Sequence, residues 1–221
     1  MIDEYITQVT QFTRIRPKVL VEIGAFNGEF SRKLQLTFSL SERDMYLIEP
    51  NPDLQTVLEK DFPEANRFEV AIAAEESRVR FNRVISPSRQ GMPCSSVLER
   101  IDPWSRYLRY QPIYVETITG KSLLAKIGKP VDMCIIDVEG LSYDVVSSFE
   151  AGLQSIKSLM IECEHEEIFK GQKLFRDVCS LLVESGFRQM AFKYSYSNQS
   201  DSVWVQEQYV DLSFKPTPLS T

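Results

Sequence analysis

Short apolar runs and amphipathic stretches alternate along the chain, and that alternation predicts the fold. Val19–Ile23 is a β-branched run suited to a buried strand, followed by Phe30, Leu34 and Phe38 at helical spacing. Met45–Glu49 reads as a second strand. Asn51-Pro52-Asp53 then supplies an N-cap with proline in the first turn, ahead of Leu54, Val57 and Leu58 on a helix face. Phe68–Ala73 reads as one third strand, and Val79–Phe81 as a short extra one. Ile113–Ile118 resumes strand character, with Leu123, Leu124 and Ile127 marking a short helix after it. Val131–Asp137 and Ser158–Cys163 are two further buried strands. Tyr143, Val146 and Phe149 mark the helix between them. Leu174 to Leu182 is amphipathic and stopped by Gly186. Phe187–Tyr194 and Ser202–Gln206 flank the turn-rich SYSNQSD and predict a terminal hairpin.

Repeated strand–helix units imply a mainly parallel sheet with helices on both faces, and the hairpin adds an antiparallel strand at or near one edge. The expectation is a doubly wound α/β domain spanning 1–221. Residues 1–16 form an N-terminal helical cap, because Ile2, Tyr5, Ile6, Val9 and Phe12 recur at helical spacing.

Composition narrows the function. The chain has 221 residues, 43% hydrophobic, and a net charge of −6, which disfavours nucleic acid as a partner. No apolar run is long enough for a bilayer, and the N-terminus does not read as a signal peptide. Cys94, Cys134, Cys163 and Cys179 form no CxxC pair and read as free thiols in a reducing cytoplasm. The oligomeric state is not legible.

In open α/β sheets ligands bind beyond the carboxyl ends of the strands, so the residues there are the candidates. Gly24 and Gly28 flank the first turn, and Glu49 ends the second strand 21 residues after Gly28. A carboxylate at that place can accept from both hydroxyls of a ribose. Gly24-Ala25-Phe26-Asn27-Gly28 lacks the central glycine of a dinucleotide turn, and Glu22 would repel a pyrophosphate. An acid there suits a ligand with an amino group, which favours S-adenosylmethionine over NAD. Asp137-Val138-Glu139-Gly140 places two carboxylates after the fourth core strand, and His165, the chain's one histidine, follows the fifth. Asp137, Glu139, Glu164 and His165 are also compatible with an oxygen-rich divalent-metal site, which is not the favoured reading.

These residues fall in blocks with a familiar order. VEIGAFNGEFS, YLIEPNP, VETITGKSLLAKIGKPVDMCIIDVEG and SLMIECEH resemble the FkbM family of S-adenosylmethionine-dependent methyltransferases, over about two thirds of the chain. The family's usual Gly-Ala-Asn-x-Gly is altered here: Phe26 occupies the Asn position and Asn27 comes next. The resemblance implies a Rossmann-like class I methyltransferase fold with a seven-stranded sheet and an antiparallel last strand. It also implies O-methylation of a hydroxyl on a sugar or natural-product-type small molecule.

Expected cofactor contacts are Glu22, Gly24, Ala25, Asn27, Gly28, Glu49, Ala71, Ile72 and Asp137. Asp137 is the first choice for the catalytic or substrate-orienting carboxylate, followed by Glu139 and His165. Residues 86–112, with four prolines, read as a substrate lid. Ser95 and Ser96 there offer polar contacts, Trp104, Tyr107 and Tyr110 stacking surfaces, and Arg100, Arg106 and Arg109 a partner for an acidic group. Two other readings remain: a non-catalytic adenosine-ligand-binding module of this fold, and an NAD-dependent oxidoreductase.

Overall fold

A computed structural model describes residues 1–85, 94–196 and 198–213. The main sheet contains β1 (Leu20–Ile23), β2 (Met45–Ile48), β3 (Asn66–Phe68), β7 (Met133–Ile136), β8 (Ser158–Glu164), β9 (Phe187–Tyr194) and β10 (Gln199–Gln206). Their spatial order is β3-β2-β1-β7-β8-β10-β9. The first five run parallel to one another. The terminal hairpin does not simply extend the edge: β10 inserts antiparallel between β8 and β9. Asp201 thereby lies opposite Glu162.

Every side chain of β1, β2 and β7 is buried, as expected of strands covered on both faces. One face packs against α1 (Ile2–Phe12), α2 (Glu29–Phe38) and α3 (Pro52–Asp61), through Tyr5, Leu34, Leu58 and Phe62. The other packs against α4 (Gly120–Ile127), α5 (Ser142–Ser148) and α6 (Phe175–Glu184), through Leu123, Val145 and Val178. Helix α1 is fastened by Tyr5, whose hydroxyl shares a 2.8 Å hydrogen bond with Ser158 at the start of β8. Among the described residues no helix is long and apolar enough to cross a membrane.

The run Phe68–Ala73 is not one strand. Phe68 ends β3, where its carbonyl accepts from Glu49 N at 3.0 Å. The chain then leaves the main sheet, and β4 (Ala71–Ile72) joins a separate three-stranded sheet. Its other strands are β5 (Arg78–Val84) and β6 (Tyr110–Ile118), and the spatial order is β4-β6-β5. Both β5 and β6 are longer than their apolar cores suggest. Pro112 is tolerated within β6 because its partner Asn82 turns its amide away, to Ser96 O at 2.8 Å. Pro112 therefore sits at a non-hydrogen-bonded pair, where its missing N–H costs no ladder bond.

Candidate active site

The carboxyl ends of β1, β2 and β7 and the inner face of the small sheet enclose a cleft of about 820 Å³, mouth included. Gly24 sets its base. It adopts φ +83°, and a Cβ there would fall 1.9 Å from the carbonyl oxygen of Asp137. The ends of β1 and β7 can approach this closely only without a side chain. Gly24 N and Ala25 N both donate to Ile48 O, at 2.9 and 3.0 Å, which folds the turn over the end of β2.

Glu49 is pinned at this turn. Its Oε2 accepts from Phe26 N at 2.9 Å and its Oε1 from Asn51 N at 2.8 Å. Burial outweighs both amides and raises its carboxyl to about 7. Phe26 holds φ +46°, a left-handed conformation unusual for an aromatic residue, and lines the cleft. Asn27 is exposed, and its side chain accepts from Glu29 N at 3.1 Å at the start of α2. Gly28 has φ +74°, and a Cβ there would come 2.4 Å from the Phe62 ring. Gly28 thus serves helix packing behind the cleft. Ala25 is buried in the core on the α1–α3 side.

Glu22 is also behind the cleft. It shares its strand face with Leu20, and its Oε2 accepts from both the amide (3.2 Å) and the hydroxyl of Ser31 in α2. Burial, partly offset by Ser31, raises its carboxyl to about 8. The sign for stability follows. The folded protein holds this proton in the window from about 4.5 to about 8, whereas the unfolded chain has released it, so stability falls as pH rises across that window. Glu22→Gln mimics the protonated acid and lacks this dependence. Chemical denaturation should find the variant equal to the parent near pH 5 and about 3 kcal/mol more stable near pH 8. Parallel pH profiles would refute the assignment.

The wall beyond Gly24 is acidic. Asp137 and Glu139 follow β7, Glu162 and Glu164 lie on β8, and Asp201 lies on β10. Burial raises Asp137 to about 7, reinforced by the charges of Asp201 and Glu164. Burial first, then Asp137 and Glu139, raises Glu162 to about 10. Glu164 accepts from Gly140 N at 3.1 Å and from Gln172 Nε2 at 2.9 Å. Among the described residues no group of three His, Cys, Asp or Glu side chains is arranged to hold a metal ion.

Of the residues singled out from sequence, Gly24, Glu49, Ala71, Ile72, Ser95, Ser96, Asp137 and Glu139 converge on the cleft. Ser95 Oγ accepts from Val84 N at 2.9 Å, and Ser96 Oγ donates to Glu139 O at 2.7 Å. His165 does not reach it. It shares a 2.8 Å hydrogen bond with Ser200 and packs among the rings of Phe175, Phe192 and Tyr194, and burial lowers its pKa. Trp104 and Tyr107 lie exposed on a 3-10 turn at Pro103–Tyr107, with ring centroids 5.9 Å apart, and Arg109 is exposed too. The proposed lid segment is anchored ahead of this turn by bridges from Ser96 to Asn82 and from Arg100 to Phe169. Its residues 86–93 lie outside the described ones. Tyr110, expected as a stacking surface, and Arg100, expected as a partner for an acidic group, lie near the site, Arg100 paired there with Asp102; Asp102 and Asp201 are neighbours that no local motif marks.

Residues 22–192 match the model of the methyltransferase FkbM domain. A crystal structure of an FkbM methyltransferase from Methylobacillus flagellatus KT is similar over 86% of this chain, with TM-score 0.55 and 12% identity. This chain spans 44% of that protein's length. Magnesium protoporphyrin IX methyltransferase from Synechocystis PCC 6803, solved with bound S-adenosylmethionine, is similar at TM-score 0.51 and 11% identity. That match covers 93% of this chain and 76% of the other. TrmK of M. capricolum, in complex with S-adenosyl-homocysteine, is similar at TM-score 0.50 and 11% identity, over 97% of this chain and 71% of that one. No curated protein matches the sequence. The domain match and the strand order together place this chain in the FkbM methyltransferase family, with a class I methyltransferase fold.

Proposed function

We propose that the chain is an S-adenosylmethionine-dependent methyltransferase acting on a hydroxyl of a sugar or natural-product-type small molecule. One observation carries this reading. The described lining of the cleft contains three carboxylates, Glu49, Asp137 and Glu139, and no Lys, Arg or His. Such a cleft offers a pyrophosphate no cation, and its acids suit a ligand bearing an ammonium and a sulfonium, whose charge favours their ionised form. Each oxygen of Glu49 spends one lone pair on a backbone amide and keeps another for a ribose hydroxyl. Ala71, Ile72 and Leu54 offer an apolar slot for adenine. Gly24 and Asp137 face the methionine end, with Glu22, Ala25, Asn27 and Gly28 shaping the turn behind it.

Bound there, S-adenosylmethionine supplies a methyl carbon made electrophilic by its sulfonium. The protein's part is to hold a hydroxyl close and aligned, and to take up its proton. Asp137 orients the acceptor, and Ser95 and Ser96 border its side of the cleft. The family, and the fold of two neighbours solved with this cofactor or its product, support the same reading.

Calorimetric titration with S-adenosylhomocysteine and with NAD tests it. Binding of the first alone is expected; binding of NAD, or of neither, would sink it. Asp137→Asn should cut methyl transfer to a screened saccharide or polyketide acceptor at least about tenfold, with S-adenosylhomocysteine affinity within about threefold. Unchanged transfer removes Asp137 from the role.

A further inference from the structure

Among the described residues, two buried side-chain polar atoms have no hydrogen-bond partner, Tyr110 Oη and Glu139 Oε2. Native proteins pair almost all such atoms, because an orphaned one forfeits its hydration for nothing. Both orphans belong to one neighbourhood. Glu139 lines the cleft, and Ser96 fixes its backbone carbonyl at 2.7 Å. Tyr110 opens β6 opposite Val84, a lining residue whose amide is held by Ser95. Burial raises the Tyr110 hydroxyl's pKa, and the charges of Arg100, Cys94, Asp102 and Glu139 also reach it. A phenol that can donate and a carboxyl oxygen that can accept, both unspent, match the two needs of an alcohol. The alcohol's oxygen takes the phenol's hydrogen and its own hydrogen goes to the carboxyl oxygen.

The local charge restricts the alcohol. Among the described residues Arg100 is the cation whose charge acts on both groups, and it is already committed. Its Nε and Nη2 donate to the two oxygens of Asp102 at 2.8 and 3.0 Å. The two side chains are only 11% and 10% exposed. A bidentate, buried pair presents no free positive charge. A phosphate or carboxylate on the acceptor would find no free cation here, only carboxyl groups such as Glu139 and Glu162 that burial already drives toward their neutral form.

We propose that Tyr110 Oη and Glu139 Oε2 form the subsite that grips the acceptor hydroxyl, and that its acceptor is an uncharged hydroxyl compound, not a phosphorylated or carboxylated one. This rests on the methyltransferase reading above, which the cofactor titration tests separately.

Two measurements decide it. The first needs no ligand. Tyr110→Phe and Glu139→Gln change atoms that make no hydrogen bond within the protein, so the melting temperature of each variant should be unchanged or higher. A clear fall would reveal a structural partner and overturn the proposal. The second is transfer of labelled methyl from S-adenosylmethionine to matched acceptors: neutral methyl hexosides and macrolide alcohols, their phosphate esters, and the corresponding uronic and carboxylic acids. Neutral members should be preferred at least about tenfold, and both variants should lose at least about tenfold in transfer while binding S-adenosylhomocysteine like the parent. Preference for the anionic members, unchanged transfer in Tyr110→Phe, or no transfer to any neutral member by a protein that binds S-adenosylhomocysteine would each overturn it. Failure to bind S-adenosylhomocysteine would instead strike the underlying methyltransferase reading.

Discussion

Gly24→Ala is expected to destabilise the protein by about 4 kcal/mol, a large share of a typical domain's stability. Two costs add. The left-handed φ of +83° disfavours any residue with a Cβ, by about 1–2 kcal/mol. The new methyl would also sit 1.9 Å from the backbone oxygen of Asp137, and a backbone atom cannot swing aside as a side chain can. Relief would require parting β1 from β7, whose ladder continues to Asp137 N donating to Ile23 O at 2.9 Å. Gly128→Ala separates the two costs. Gly128 has φ +67° with nothing within 4 Å of an added methyl, so only the conformational part applies, about 1 kcal/mol. Urea denaturation of both variants makes the comparison. Equal losses would mean that the strand ends yield freely and that the close approach is unimportant.

That contact shows what is legible in the sequence and what is not. Strand, turn and helix around Gly24 are readable because each is fixed by neighbours in sequence. The Asn51-Pro52 start of α3 is likewise local, and Asn51 does cap it, accepting from Asp53 N at 3.2 Å. Glu49 is readable because a strand end followed by a cap leaves its carboxylate one place to go. The reason for Gly24 is not readable. Sequence suggests room for a ligand, whereas the crowding comes from Asp137, 113 positions away. The run Phe68–Ala73 misleads for a related reason. Continuous apolar character marks burial without saying which sheet receives each half.

The acidic wall depends on register even more strongly. Asp201 joins Glu162 only because β10 inserts beside β8, and a one-residue slip would turn it to the other face. His165 stands beyond a core strand, as a catalytic histidine would, but the inserted hairpin supplies Ser200, Phe192 and Tyr194 to enclose it. Trp104 and Tyr107 carry the composition of a sugar platform. Their 3-10 turn faces outward because Arg100, just before it, is tied to Phe169 and Asp102.

Glu49→Ala should weaken S-adenosylhomocysteine binding by about 100-fold or more, equivalent to about 2.7 kcal/mol, and lower stability by a smaller amount. The carboxylate serves both purposes at once. Removing it strands the amides of Phe26 and Asn51, each at a cost of about 1–3 kcal/mol when left dry. Part of that loss is offset, because burying this carboxyl is itself unfavourable, as its rise to about 7 shows. Binding has no such compensation. The turn carrying Phe26 loses the anchor that shapes the cleft, and the ribose loses its acceptor. Calorimetry across pH separates the electrostatic share. An ionised Glu49 accepts from ribose hydroxyls better than a protonated one, so the parent's affinity should be full above about pH 7 and decline as pH falls through that value. Glu49→Gln, which cannot ionise, should bind weakly and with a flatter profile. Tight, pH-independent binding by Glu49→Gln would show that the carboxylate acts only as a brace for the turn.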